Sequence, residues 1–487
     1  MCGDVPASAH WLVATSFFIP VQKRSGKFAL AVLGLTLSGC ATYQPAPVDL
    51  PPVLSARRAE ILDPARVRAV MEDIAPGAPQ DGQADRLFLF AAALIYNPDI
   101  GASRAAVASA VAGVQAARVA SAANLTLTAE YARDASASSP WLLGAVLDLP
   151  LDRGVRRNAR ALVANRAVDA ARYDQAEVIW TARMAIRKAS ADRLIAARRA
   201  DAFQRVVDLR LRQQTVLERR VAAGEASRAE LDRVRADGAD AVRGQADARV
   251  QARDAELRLA AAVGLPADAL SGLTPEWPEF DTPVGDPGVG VDPALLTHAL
   301  LSRADVLKAI VAYDQAEADL RLEVAKQYPA LTISPGYTWE RGLAKLPVSL
   351  GLALPPWDLN RSAIALAQAR RTEAGLKLEA ILASADGALQ AASAESRASR
   401  LAFEQVRTVE MPNAQALADQ ADRELKAGAI DRAEWAAAQA GAAQTRLVEL
   451  DALARVHSAD AALEDAVRRP LEGPETEIIL AFDRSRP

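Results

Sequence analysis

Cysteine is nearly missing from this chain. Of 487 residues only Cys2 and Cys40 are cysteines, both near the N-terminus. The body therefore has no disulfide framework and no cysteine zinc spacing. Histidine is as scarce: His10, His298 and His457 lie far apart in sequence, so no metal site is expected. His457 shares a helical stripe with Leu450 and Ala454 and reads as a packed histidine rather than a ligand. Aromatics make up 5% of the chain against a hydrophobic content of 51%, and alanine dominates. That balance suits closely packed helix arrays better than a bulky globular core. Charge of one sign is lacking too. The net charge is −4, with arginine and acid interspersed, and no basic patch carries interleaved aromatics. Nucleic acid is thus not an expected partner. No nucleophile–base pair, glycine-rich phosphate loop or metal cluster can be read, so neither an enzyme nor a cofactor is expected.

What is present begins with a targeting segment. Lys23, Arg24 and Lys27 precede the apolar run from Phe28 to Leu37, which is too short to anchor in a bilayer. The run ends in Leu37-Ser38-Gly39-Cys40, which resembles the bacterial lipobox, where the cysteine is lipidated and becomes the first mature residue. Residues 1–39 are read as a signal peptide, and those before Val21 suggest a start assigned too far upstream. Ala41 in place of an aspartate implies passage to the outer membrane. Pro45, Pro47, Pro51 and Pro52 then form an extended tether. Residues 40–96 hold this tether and helices near 56–73 and 84–95.

The chain is organised around a helical hairpin that occurs twice. Gly224 and Gly428 each follow a very long helical run and suit the left-handed residue that ends a helix. Ser227 and Asp431 are N-caps three residues on. Glu230 completes a capping box at the first tip, and Glu434 gives an acidic first turn at the second. The hairpins belong to a longer duplication. Asn97-Pro98-Asp99 parallels Ser302-Arg303-Ala304-Asp305, Leu125 parallels Leu331, Leu149 parallels Leu354, and Gly224 parallels Gly428. The first repeat spans 97–264 and the second 294–469. A Pro/Gly-rich linker at 265–293 joins them, and a tail covers 470–487.

Within each repeat the period shifts from helix to strand and back. Leu125, Leu127, Ala129 and Tyr131 alternate with Asn124, Thr126, Thr128 and Glu130. Leu331, Ile333, Pro335, Tyr337 and Trp339 alternate with polar residues in the second copy. Strand hairpins are expected at 124–149 and 331–354, each strand about the 9–11 residues a tilted transmembrane strand needs. Tyr131, Trp141, Tyr337 and Trp339 sit near the two loops, where a membrane aromatic belt would lie. The helices expected at 152–222 and 358–427 are each nearly matched by two shorter ones: 99–123 with 228–263, and 294–328 with 432–468. Four strands cannot close a barrel, and open edges in lipid are forbidden. Either the chain is not in a membrane or several chains share one barrel.

These features in this order resemble the TolC-type outer membrane efflux channels, especially the lipid-anchored branch found with resistance-nodulation-division pumps. The resemblance runs from Cys40 to about Arg469. It is carried by the lipobox, the paired helix starts, Tyr328-Pro329, the Leu149-Pro150 and Leu354-Pro355 strand exits, the tips, and Ala262-Val263-Gly264-Leu265-Pro266. It implies a mainly α fold with a membrane β-barrel part. Long antiparallel helical hairpins would form a periplasmic α-barrel, and three chains would contribute four strands each to one barrel. It also implies lipidation at Cys40 and a periplasmic adaptor and inner membrane pump as partners. The adaptor would dock at Gly224, Ser227, Gly428 and Asp431, with Glu230 and Glu434 at the periplasmic gate. The chain departs from the family at Asn124, where a proline is usual. It departs again at Ala437, where a second acid often follows the one matched by Glu434. Leu354-Pro355-Pro356-Trp357-Asp358-Leu359-Asn360-Arg361 looks like the branch associated with heavy-metal efflux. A lipid-anchored coiled-coil scaffold without a pore and a channel for type I protein secretion are the alternative expectations.

Overall fold

A computed structural model of the chain describes residues 43–76, 84–119, 122–131, 140–151, 154–273, 275–283, 300–340, 342–354, 356–476 and 478. Cys40, the signal segment, His10 and His298 lie outside them, as do most of the linker after residue 283 and the tail after 478. The chain divides into two compact units, Met1–Ala56 and Arg57–Pro487. In the first, Tyr43 to Asp49 has no regular structure and α1 (Leu50–Arg58) begins. Pro51 and Pro52 thus open a helix rather than extend the tether. In the first turn a proline forfeits no hydrogen bond.

The second unit is built almost wholly from helices. The single helix expected over 56–73 is divided: α2 (Pro64–Ile74) starts afresh where Asp63 accepts from the amides of Ala65 and Arg66. α3 (Arg86–Tyr96) is apolar nearly all round and buried. Together α2 and α3 make the largest hydrophobic cluster, with Val67, Leu87 and Phe88 packed against Ile186, Leu259 and Val263. Asn97 starts α4 (Pro98–Arg118) by accepting from Asp99 and Ile100, and its amide group donates to the Ala262 carbonyl at 2.8 Å. That closure needs Gly264, whose φ is +90° and whose added Cβ would lie 2.5 Å from the Asn97 Cα.

After α4 come β1 (Asn124–Tyr131) and β2 (Trp141–Leu151). The unbroken α5 (Gly154–Ala222) has 69 residues, about 104 Å at 1.5 Å per residue. α6 (Arg228–Val263) returns along it, and a 3-10 turn at Ala267–Leu270 follows. The same order recurs with α7 (Ala304–Ala325), β3 (Ala330–Glu340), β4 (Leu343–Lys345) and β5 (Val348–Ala353). Next come α8 (Arg361–Gln405), a π-turn at Val406–Glu410, α9 (Met411–Ala427) and α10 (Arg432–Val467). The last strand, expected over 346–354, is observed as Val348–Ala353, and β4 occupies a stretch expected to be loop. Pro347, which has no N–H to donate, falls in the break between β4 and β5. α5 is the spine: α4, α6, α7 and α10 all pack against it.

The strands form one small antiparallel sheet in the order β1-β2-β3-β4, with β5 also pairing β3. It is open at β1 on one side and at β4 and β5 on the other. Its register places Leu125 opposite Leu147, Leu143 opposite Trp339, Ala145 opposite Tyr337, and Ile333 opposite Leu350. One face is therefore apolar across the whole sheet. The other carries Thr128, Thr338, Glu130 and Glu340, and the Ser334 hydroxyl donates to Asp148 at 2.5 Å.

Candidate functional site

The two helical tips are built by glycine. Gly224 has φ +77° and Gly428 φ +71°, and an added Cβ at either would meet nothing within 4 Å. The requirement is conformational, not steric. At the second tip the Ala429 amide reaches back to the Glu424 carbonyl at 2.9 Å, and at the first Glu225 reaches Arg220 at 2.8 Å, the six-to-one closure of a Schellman cap. Ser227 accepts from the Glu230 amide at 3.1 Å. Asp431 accepts from Ala433 and Glu434 at 2.7 and 2.9 Å, and the Glu434 carboxylate returns to the Asp431 amide. The reciprocal capping box is thus at the second tip, not the first. A carboxylate cap ties two amides, and its other oxygen takes the Arg220 guanidinium at 2.6 Å. That ion pair joins one tip to the other, above Leu217, Leu231, Val234 and Ala433. Glu230 and Glu434 are both exposed.

The four aromatics expected to form a belt gather at one end of the sheet. Tyr131 meets Trp141 edge-on at 5.0 Å between ring centroids, Trp339 is opposite Leu143, and Tyr337 is opposite Ala145. All four lie on the apolar face.

A buried charge network escaped the sequence. Arg183 is 2.8 Å from Glu464, and Arg187 lies 3.2 Å from Glu464 and 3.0 Å from Glu472. Arg86 lies 3.3 Å from Glu475 and 3.6 Å from Glu472, and its guanidinium stacks over Trp277 at 3.9 Å. Three cations and three anions from α3, α5, α10 and the C-terminal segment thus form a neutral knot. Gly473 has φ +83°, and an added Cβ would fall 1.6 Å from an Arg86 nitrogen. Burial pushes the Glu464 carboxyl up, but Arg187 and Arg183 outweigh it and hold it below its ordinary value. Burial raises Glu472, and Arg187 and Arg86 offset only part of that. In sequence these residues look like solvated helix faces, because charged residues usually are. The only hint was Arg183 and Arg187, one turn apart on one face.

His457 sits beside this knot. Its Nε2–H donates to the Phe280 carbonyl at 2.9 Å, and its ring stacks on Phe280 at 4.2 Å. Burial, with the nearby Arg187, Arg86 and Arg198 cations, pushes its pKa down to about 3. It is a neutral packing residue joining the inter-repeat segment to α10. Among the described residues no group of acids, histidines or cysteines is placed to hold a metal ion, and no helix is long and apolar enough to cross a membrane.

Long paired helices, two glycine tips and a small open sheet with one apolar face define a class: the fold is that of TolC-like outer membrane channels. Residues 89–265 match the family described as outer membrane efflux protein. The cobalt-zinc-cadmium resistance protein CzcC of Cupriavidus metallidurans is 25% identical over 384 residues, covering 77% of this chain and 87% of that protein. The CmeC outer membrane channel of Campylobacter jejuni superposes with a TM-score of 0.64 at 13% identity, covering 93% of this chain and 94% of that one. The MtrE outer membrane channel of Neisseria gonorrhoeae, in its open state, gives 0.63 at 18% identity, covering 78% and 88%.

Proposed function

We propose that this chain is the outer membrane channel of a tripartite efflux system, passively conducting substrates from periplasm to exterior. One observation carries the reading: the exposed apolar face on a sheet with two free edges. Leu127 is 73% exposed and Leu350 68%, and each belongs to a row of apolar neighbours set by the register. Such a face suits lipid, and the Thr/Glu face suits a watery lumen. Free edges do not survive in lipid, so three chains would each supply four strand passes to one barrel. The helices would continue it as a periplasmic tube, with Cys40 lipidated at the membrane. The likeness to CzcC favours divalent transition-metal ions as cargo, in line with Pro356-Trp357-Asp358.

The test is the mass of the detergent-extracted protein, followed by single-channel recording. A trimer with stepwise conductance is expected. A detergent-independent monomer or dimer without conductance would replace the channel with a lipid-anchored scaffold. A channel that carries no metal resistance in cells but supports protein export would move it to type I secretion.

At the far end of the helices, Gly224, Ser227, Gly428 and Asp431 would meet a periplasmic adaptor, and Glu230 and Glu434 would ring the entrance. Gly428→Trp strains the left-handed turn but meets nothing within 4 Å, so trimers should stay intact in detergent while resistance in cells is lost, and Gly428→Asn, which tolerates that turn, should keep resistance. Unchanged resistance would remove the docking role.

A further inference from the structure

The sequence around the base of the first strand pair is rich in arginine, although the chain as a whole is acidic. Residues 100–129 hold two arginines and residues 153–168 five, seven in all, and the acids at that base are Asp148 and Asp152. Helix α5 has no acid in its first turn, yet Arg156 and Arg157 stand there. Cations at a helix N-terminus oppose the macrodipole. Arg156 is answered by the Ala325 and Tyr328 carbonyls at and just after the end of α7, whereas Arg157 lines a groove.

The structure gathers part of this charge into a groove. Arg118, in the last turn of α4, and Arg157, Asn158, Ala161, Leu162 and Asn165 of α5 line a cavity of about 490 Å³. Its lining holds two guanidiniums, two carboxamides and two apolar side chains, with no carboxylate. Arg118 and Arg157 are exposed. Arg118 lies six residues before β1 (124 − 118), and Arg157 six residues after β2 (157 − 151). The groove therefore sits at the foot of strands whose Leu125, Leu127, Leu143 and Leu151 are exposed.

We propose that this groove binds the phosphate headgroup of an anionic glycerophospholipid in the leaflet nearest the helices. The inference rests on the reading that the strands cross a membrane. β2, with 11 residues at about 3.3 Å each and a tilt near 45°, then spans about 25 Å of hydrocarbon. Its foot falls at headgroup level. The guanidiniums pair with phosphate oxygens, the carboxamides donate to the glycerol and headgroup oxygens, and the acyl chains continue along the apolar strands. A lipid fits better than a free phosphate because the polar groove is continuous with apolar surface.

Native mass spectrometry of the detergent-extracted full chain tests this, with added phosphatidylglycerol or phosphatidylcholine and with inorganic phosphate as competitor. Wild-type protein should retain phosphatidylglycerol in preference to phosphatidylcholine. The R118Q/R157Q double variant should lose that retention by at least about tenfold, and R118K/R157K should keep most of it. Equal retention by the glutamine variant, or no preference between the lipids, overturns the proposal. Displacement by millimolar inorganic phosphate reassigns the groove to a free anion and overturns the lipid. No retention by wild type, as when a neighbouring copy covers the groove, also overturns it. Detergent dependence of the same sample reports the membrane reading separately: a chain that stays monodisperse without detergent fails that reading whatever the adducts show.

Discussion

His457 shows how much one buried side chain ties to pH. Its folded pKa, about 3, is far below the ordinary 6.5. Below pH 6.5 the unfolded chain takes up a proton that the folded chain refuses. Stability is therefore intact above 6.5 and falls as pH drops toward 3. Between pH 6.5 and 5 the loss should be about 2 kcal/mol. The variant His457→Gln should flatten that slope in thermal unfolding followed at pH 7, 6 and 5, while the wild type loses midpoint steadily. The histidine's packed character was legible in its helical stripe. Its partners, Phe280 and Trp277, were not, because they lie 177 and 180 residues away in a segment with no regular period.

At the scale of elements, the two long outgoing helices differ. α5 runs unbroken, whereas its counterpart carries a π-turn at Val406–Glu410. Pro412 explains the turn: it cannot donate to the Thr408 carbonyl and its ring crowds that oxygen, so the helix widens by one residue. Pro412→Ala should let α8 and α9 run through as one regular helix. Slower amide hydrogen exchange across 404–412 would show it, and unchanged exchange would mean the widening has another cause. The lengths and ends of the long helices could be read from caps and periodicity, and so could the strand faces, since a period of two survives without tertiary context. The break at Asp63, the helix opened by Pro51-Pro52 and the split of β4 from β5 could not. Each depends on whether a proline stands where its missing N–H matters, which tertiary pairing decides. At the tips the glycines and caps were legible, but which copy closes the capping box was not. At the second tip Asp431 also takes Arg220, a residue of the other hairpin.

For the molecule as a whole, breaking the buried knot should cost more than breaking any one surface ion pair. Exposed pairs contribute at most about 1 kcal/mol each. Removing one partner of a buried network strands the remaining charge. Glu464→Ala should therefore cost about 3–5 kcal/mol, since it leaves Arg183 and Arg187 short of an anion. Denaturant unfolding in detergent, set beside Glu373→Ala on the exposed face of α8, would measure the contrast. Loss of a kcal/mol or less from the buried site would show that water or rearrangement replaces the missing carboxylate.

The knot also bears on the order of synthesis. Arg86 donates to the Glu472 carbonyl, 386 residues later in the chain, and Glu475 completes its neutralisation. A ribosome delivers the arginine several hundred residues ahead of these glutamates. Until residues 472–475 emerge, three arginines lack two of their three counter-charges, and α3 cannot be sealed against α5 and α10. Chains released short of residue 472 would carry both tips and every strand yet remain unsealed. The segment around Glu472 and Glu475 thus ties the sealing of α3 to a stretch that lies beyond both repeats.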